Sequence, residues 1–304
     1  MKIKVIGLAS NDAAYVAEWV FHHLYCGFDE IEVLVYNSTD RTINVLLKIT
    51  EVFPQVSVKI LSSLESVHTI YRLENCDEEL NSFTLKLNID EFWVSSDLQS
   101  SVLKLIKNQV KLGTNKLNVL TVLENTPFSI LKQCNHIRSV PRDITINGHG
   151  SPTCYILKRN MRSELEYIAA LPTNYCEPNV HVTSNCSGYQ RPSCHHLRLV
   201  FGVNAHENYT DSYYGFLTFT GVKPLLKLAR QDVHDKALKA IQNILLYSAQ
   251  FDDSKKNALF SAFSGIDNKN VKLALSKLDK SIDKERQTLL SRVIGKRPNT
   301  TLHI

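Results

Sequence analysis

The stretch Asn88-Ile89-Asp90-Glu91 stands directly behind an apolar run, Phe83 to Ile89, and the carboxylate of Asp90 is a hard oxygen donor of the kind that Mg2+ or Mn2+ takes. Polar residues follow apolar runs in the same way at two earlier places. Ser10-Asn11-Asp12 comes behind Lys4 to Leu8, and Asn37-Ser38-Thr39-Asp40 behind Ile31 to Tyr36. Polar groups at the carboxyl ends of parallel strands face the crevice in which open α/β sheets bind ligands. An Asn-x-Asp after a strand also serves as a plain cap, so the pattern alone leaves both readings open. Cys194-His195-His196 suggests a metal site, yet no second pair at zinc-site spacing exists to complete it. His206 follows the apolar stretch Leu197 to Val203 and is expected at a strand end, where a neutral imidazole projects into a crevice.

The elements that would position these residues alternate regularly. Lys4 to Leu8 reads as a strand, Tyr15 to Leu24 as a helix closed by Gly27, and Ile31 to Tyr36 as a second strand. Thr42 to Thr50 reads as a helix, and Val56 to Leu61, after Pro54, as a third strand. Strand, helix, strand, helix, strand at this spacing predicts βαβ units in a mostly parallel sheet, hence an α/β fold with helices on both faces. Residues 98–112 have helical spacing, and Leu117 to Leu123 reads as a strand. From 124 to 216 the chain is rich in Pro, Asn, Ser, His and Tyr, which predicts loops and short strands. After Pro224, Leu, Ala, Lys and Ile recur at helical spacing to about 292, which places a boundary at 218–224. Tyr15, Trp19, Phe28 and Phe92 sit at spacings that favour core packing over ligand stacking.

A chain of 304 residues with 43% hydrophobic and 21% charged residues has the means to bury a full core. No apolar run approaches the roughly 20 residues of a bilayer-spanning helix. The seven cysteines show no paired spacing, and the apolar start is cut off at Ser10-Asn11-Asp12, unlike a secretory leader. A reducing cytoplasmic setting is the expectation. From Lys223 onward there are 16 Lys and Arg against 8 Asp and Glu, so this segment carries the positive balance. It suits peripheral contact with an anionic membrane face or simple solvation. No nucleic-acid motif accompanies the charge, and no nucleic-acid partner is expected.

Three segments together resemble the family 2-like glycosyltransferases, especially the branch near family 92. They are Asn11-Asp12 through Glu18-Trp19 to His22-His23, with Gly27-Phe28-Asp29 after it; Asn37-Ser38-Thr39-Asp40-Arg41-Thr42; and Asn88-Ile89-Asp90-Glu91-Phe92. They span about the first 95 residues. The resemblance implies a GT-A, Rossmann-like domain over 1–220, with a nucleotide-sugar half (1–95) and an acceptor half (96–220), followed by a basic helical region over 221–304. It implies a nucleotide-diphosphate sugar donor, a glycan or lipid-linked glycan acceptor, and a divalent cation, Mn2+ or Mg2+, as in surface polysaccharide assembly.

On that resemblance, Ala9, Asn11, Asp12, Asn37, Asp40, Asn88 and Arg198 contact the donor, and Asp90, Asn88 and His206 hold the metal. Asn88 departs from the family pattern, which has Asp there, so the site has one negative charge fewer. A catalytically weakened binding or scaffold module is the competing implication. In an inverting transfer a carboxylate removes the acceptor's hydroxyl proton. Asp90 takes part in catalysis through the metal, and for the base Glu124, Asp143, Glu177, Glu207 and Asp211 are candidates, between which nothing in the sequence chooses. Gly148-His149-Gly150-Ser151-Pro152 resembles the family's Gly-Ser-rich loop and reads equally as a simple turn. A nucleotidyltransferase reading fails on Ala9 to Ala14, which is no Gly-rich, basic loop.

Overall fold

A computed structural model describes residues 2–62, 82–95, 100–111, 118–122, 137–139, 154–159, 164–170, 203–247, 250–264, 266, 269, 271–273 and 276. The chain divides into two compact units, Met1–Ser163 with Pro192–Val233, and Glu164–Arg191 with His234–Ile304.

The first unit is α/β. Strand β1 (Lys2–Ala9), helix α1 (Val16–Tyr25), strand β2 (Glu30–Tyr36), helix α2 (Thr42–Thr50) and strands β3 (Val56–Leu61) and β4 (Ser82–Asn88) come in that order along the chain. The four strands form one wholly parallel sheet ordered β3-β2-β1-β4. One face is made by Ile3, Val5, Ala9, Ile31, Val33 and Val35, buried against Val16, Trp19 and Val20 of α1 and Val45, Leu46 and Ile49 of α2. Ile6, Leu34 and Leu61 form a separate buried cluster with Leu8 and Tyr36, as the two-residue alternation of a strand requires.

Helix α1 stops where the sequence predicts. Gly27 takes φ 86°, its N–H donates to Leu24 O (3.0 Å), and the Phe28 N–H donates to His23 O (3.1 Å). That pair of bonds is a Schellman cap, which needs a left-handed residue after the helix. The Phe28 ring then meets the His23 ring edge-on, as such caps favour.

Strand β5 (Glu91–Ser95) starts a second, mixed sheet. Helix α3 (Val102–Lys111) and strands β6 (Asn118–Val122), β7 (Ile137–Ser139) and β8 (Cys154–Arg159) come next, with strand order β5-β8-β6-β7. Only the β6·β8 pair is parallel. The unit continues through helix α5 (Val203–Phe219) and the first part of helix α6 (Lys223–Tyr247), up to Val233. Tyr209, Phe216 and Leu217 of α5 and Leu226 of α6 enter the main core cluster. β7 and β8 are short strands, as expected within 124–216, whereas α5 corrects the expectation of loops and short strands over 203–216. Ala205, Tyr209, Tyr213, Phe216 and Leu217 recur at three- and four-residue spacing, a helical stripe that the surrounding Asn, Thr and Ser residues obscure.

In the second unit, helix α4 (Glu164–Ala170), the remainder of α6 and helix α7 (Asp253–Ala262) build a core of their own. It contains Ile168, Ala237, Ile241, Ile244, Leu259 and Phe263. Asp252 caps α7 by accepting the Lys255 N–H (2.7 Å). Among the described residues, no helix is long and apolar enough to cross a membrane.

Candidate functional site

The register of the parallel sheet decides where the polar strand ends lie. Leu8 of β1 lies opposite Asn88 of β4 on one side, and Ala9 opposite Val35 of β2 on the other. Asn11, Asn37 and Asp90, each just past its strand, therefore emerge at one edge of the sheet. Asn11 and Asn37 both take left-handed backbone angles, φ 57° and 45°. Among L-residues Asn tolerates that region best, which is why an Asn serves at each sharp exit from the strand.

The first two strand ends are tied into one body. Asn11 Oδ1 accepts the Thr39 N–H (2.9 Å), the Thr39 hydroxyl (3.1 Å) and the Asp40 N–H (3.2 Å). In return Ser38 Oγ accepts the Asn11 N–H (2.7 Å). The Asp40 carboxylate accepts from Thr42 N (2.9 Å) through Oδ1 and from Ala13 N (3.0 Å) through Oδ2. The Thr42 hydroxyl donates to Asp40 and accepts the Asp12 N–H (2.8 Å). Asp12 is buried, and its Oδ2 accepts the Ser10 N–H (2.7 Å). Asp12 and Asp40, expected as donor contacts, thus give these oxygens to backbone amides and hold the loops in shape. Ala9 is fully buried in the core cluster, which leaves it no exposed side chain for a ligand. The exposed amide groups at this end of the edge belong to Asn11 and Asn37.

The loops are also buttressed from behind. Ala13, Ala14 and Tyr15 pack on Ala229 of α6, and Arg41 pairs with Asp232 (3.2 Å).

At the third strand end, Asn88 is exposed and Asp90 half-buried in the tight turn between β4 and β5. Glu91 Oε2 accepts both the Asn88 N–H (3.0 Å) and the Asn88 side-chain Nδ2 (3.3 Å). Helix α1 holds the strand on the far side of that turn. Strand β5 is an edge strand, and α1 supplies hydrogen bonds that a neighbouring strand would otherwise make. Trp19 Nε1 donates to Glu91 O (2.8 Å), His22 Nε2 donates to Trp93 O (2.5 Å), and Trp93 N donates to His23 Nε2 (3.4 Å).

These partners dictate the tautomers. His22 carries its proton on Nε2 and accepts the Tyr209 hydroxyl (3.0 Å) at Nδ1, whereas His23 carries its proton on Nδ1, which donates to Trp19 O (2.8 Å). Burial lowers the His22 pKa from 6.5 to about 4, against the opposing pull of the Trp93 carbonyl. Burial, and then the neighbouring His22, put that of His23 well below its ordinary value. Trp19, Phe28 and Phe92 are core residues, as expected, and so is Tyr15.

No family model and no curated protein matches the chain. Among solved structures it is similar to a crystal structure of S. aureus TarS residues 1–349, at 13% identity and a TM-score of 0.29, over 97% of this chain and 92% of that one. The fold assignment rests instead on the strand order and register given above.

Of the remaining candidates, Glu124, Asp143, Glu177 and Arg198 lie outside the described residues, as do Cys194, His195, His196 and the 148–152 loop. His206 is not at a strand end. It belongs to the first turn of α5, a correction that reflects the helical stripe starting at Ala205, and its side chain lies outside the described residues. Glu207 and Asp211 stand one turn apart on the exposed side of α5 instead of in loops. Neither makes a hydrogen bond or ion pair with a described residue of the strand-edge cluster. Glu91, His22 and His23 stand within the sequence motifs, which gave them no part in bracing the strand end; these hydrogen bonds assign it. The signal for the histidines was their place on a helix whose other members are apolar, where an imidazole has to find partners.

The donor set at the edge fits a hard cation in kind. Asp90, Glu91 and the Asn88 carbonyl offer oxygen only, and Mg2+ or Mn2+ takes one or two carboxylates and completes its shell with phosphate oxygens and water. Among the described residues no cluster of three or more His, Cys, Asp or Glu forms a fuller cage.

Proposed function

We propose that the chain is a glycosyltransferase that binds a nucleotide-diphosphate sugar along this strand edge, with Mn2+ or Mg2+, and passes the sugar to a glycan or lipid-linked glycan. The observation that carries this reading is the register that brings Asn11, Asn37 and Asp90 to one edge of a parallel sheet. Asn37 offers its exposed amide to a base and ribose, and Asn11, whose Oδ1 is taken by the Thr39 and Asp40 donors, offers Nδ2. The other end of the edge is acidic, so it would repel a bare diphosphate, and a divalent cation reverses that sign. When bound, the cation stabilises charge on the departing diphosphate. In the transfer, the acceptor oxygen bonds to the anomeric carbon, the bond from that carbon to the phosphate oxygen breaks, and the acceptor's proton goes to a carboxylate. The basic segment from Lys223 onward, with exposed Phe219 before it in sequence, docks the enzyme on an anionic membrane face near a lipid-linked acceptor.

A thermal-shift panel of UDP-, GDP-, CMP- and dTDP-sugars with and without Mn2+ tests the donor assignment, because a ligand bound only by the folded state raises the midpoint. One base should give a shift that Mn2+ enlarges, and Asp90→Ala should abolish the enlargement. If no nucleotide-sugar shifts the midpoint, the donor reading fails. Asn88 favours a second reading, a binding module without turnover. Slow release of nucleoside diphosphate in the absence of acceptor marks the enzyme; tight donor binding with no release marks the module.

A further inference from the structure

Glu91 braces the bend between β4 and β5 through Asn88. A carboxylate only accepts hydrogen bonds, so Asn88 has to present Nδ2 to Glu91 Oε2 (3.3 Å), which leaves Asn88 Oδ1 as that side chain's remaining acceptor. The same Oε2 takes the Asn88 N–H at 3.0 Å, so Glu91 is held against the strand end by both donors of residue 88. A carboxylate at position 88 would meet that of Glu91 at hydrogen-bonding distance, where each disfavours the ionised form of the other. An amide there is what a neighbouring glutamate requires. We infer that Asn88 and Glu91 act as one unit, and that Glu91 supplies the second negative charge with which this edge, together with Asp90, holds a divalent cation on a diphosphate. Asn88 is then no sign of a weakened site, because the charge has moved three residues along the chain. This rests on the donor-site reading above and assigns a residue within that site.

The test is direct Mn2+ binding to the 304-residue chain in the presence of UDP, GDP, CMP or dTDP in turn, read from the free Mn2+ signal in electron paramagnetic resonance, with melting midpoints to verify folding. Glu91→Gln keeps an oxygen that accepts both Asn88 donors but removes the charge, and it should weaken Mn2+ binding about 10- to 100-fold. The double exchange Asn88→Asp with Glu91→Gln returns a carboxylate and an amide to the pair in swapped positions. It should regain most of the lost affinity. Wild-type affinity in Glu91→Gln would overturn the inference, leaving Glu91 as a turn residue, and so would a folded double variant as weak as the single one. If the wild type takes up no Mn2+ with any of these nucleotides, or Asp90→Ala binds it equally well, the donor-site reading falls and this inference with it.

Discussion

Two imidazoles couple folding to proton concentration. His22 and His23 each use one ring nitrogen as donor and the other as acceptor, a pattern only the neutral ring can make. With the folded pKa of His22 at about 4 and its ordinary value at 6.5, the unfolded chain binds more protons throughout that interval. Stability from His22 is therefore fully present above pH 6.5 and is lost progressively toward pH 4, an effect of about 3 kcal/mol when complete. His23, shifted the same way, adds to the slope. Urea unfolding measured across that range should show stability falling with acid. His22→Gln should start less stable near neutrality and fall less steeply. An unchanged slope in that variant would assign the acid sensitivity to other groups. Burial drives the Cys26 thiol pKa upward, so Cys26 remains a protonated, packed group beside His22 over the same range.

At the scale of elements, α1 is the part that everything else is measured from, because it packs on the parallel sheet and bonds to the edge of β5. Its contact with β1 has no slack. A Cβ on Gly7 would stand 2.6 Å from Trp19 Cη2, and the indole has little freedom to retreat because its Nε1 is bound to Glu91 O. Gly7→Ala should cost about 1–3 kcal/mol in urea unfolding, as overpacking does. Gly215, on α5, is the contrasting case, since an added Cβ there meets nothing within 4 Å. Gly215→Ala should stabilise by about 0.5–1 kcal/mol through helix propensity. Equal effects at both sites would refute the close fit. The β1-α1-β2-α2-β3 series was legible because period and punctuation agree: apolar strands stop at Asn, and α1 stops at Gly27. Thr42–Thr50 and Val56–Leu61 were read to the residue. Helix α5 was not legible, since half of its residues are polar and its buried stripe is aromatic. The strand ends at Asn11, Asn37 and Asp90 could be read from the sequence. The Asn88–Glu91 pairing, the use of Asp12 and Asp40 as loop ties and the α1-to-β5 hydrogen bonds could not, because each depends on which way a side chain points in space.

At the scale of the whole chain, charge is the feature with a consequence for location. The segment from Lys223 to Ile304 has twice as many basic as acidic residues, whereas the part before it is slightly acidic against a total of +5. In the first unit, the turn joining α5 to α6 carries Phe219, 73% exposed, next to Gly221 at φ 66°, with Leu228 at 47% on α6. Lys223 and Lys227 are exposed on the same stretch, and the Lys223 ammonium donates to Thr218 Oγ1 (2.7 Å). An exposed aromatic ring followed by lysines on the next helix gives an interface both a hydrophobic foothold and an attraction to anionic headgroups. Each lysine at such a surface is worth about 1 kcal/mol, or about a fivefold change in partitioning. Sedimentation with phosphatidylglycerol-containing vesicles should therefore retain the protein at low salt and release it as salt screens the charges. Lys223→Gln with Lys227→Gln should lower partitioning about 25-fold, and Phe219→Ser should weaken it with little change in salt dependence. Equal retention on purely zwitterionic vesicles would overturn the role given to the lysines, and retention on neither kind would remove the membrane from the picture and leave a soluble acceptor for the proposed transfer.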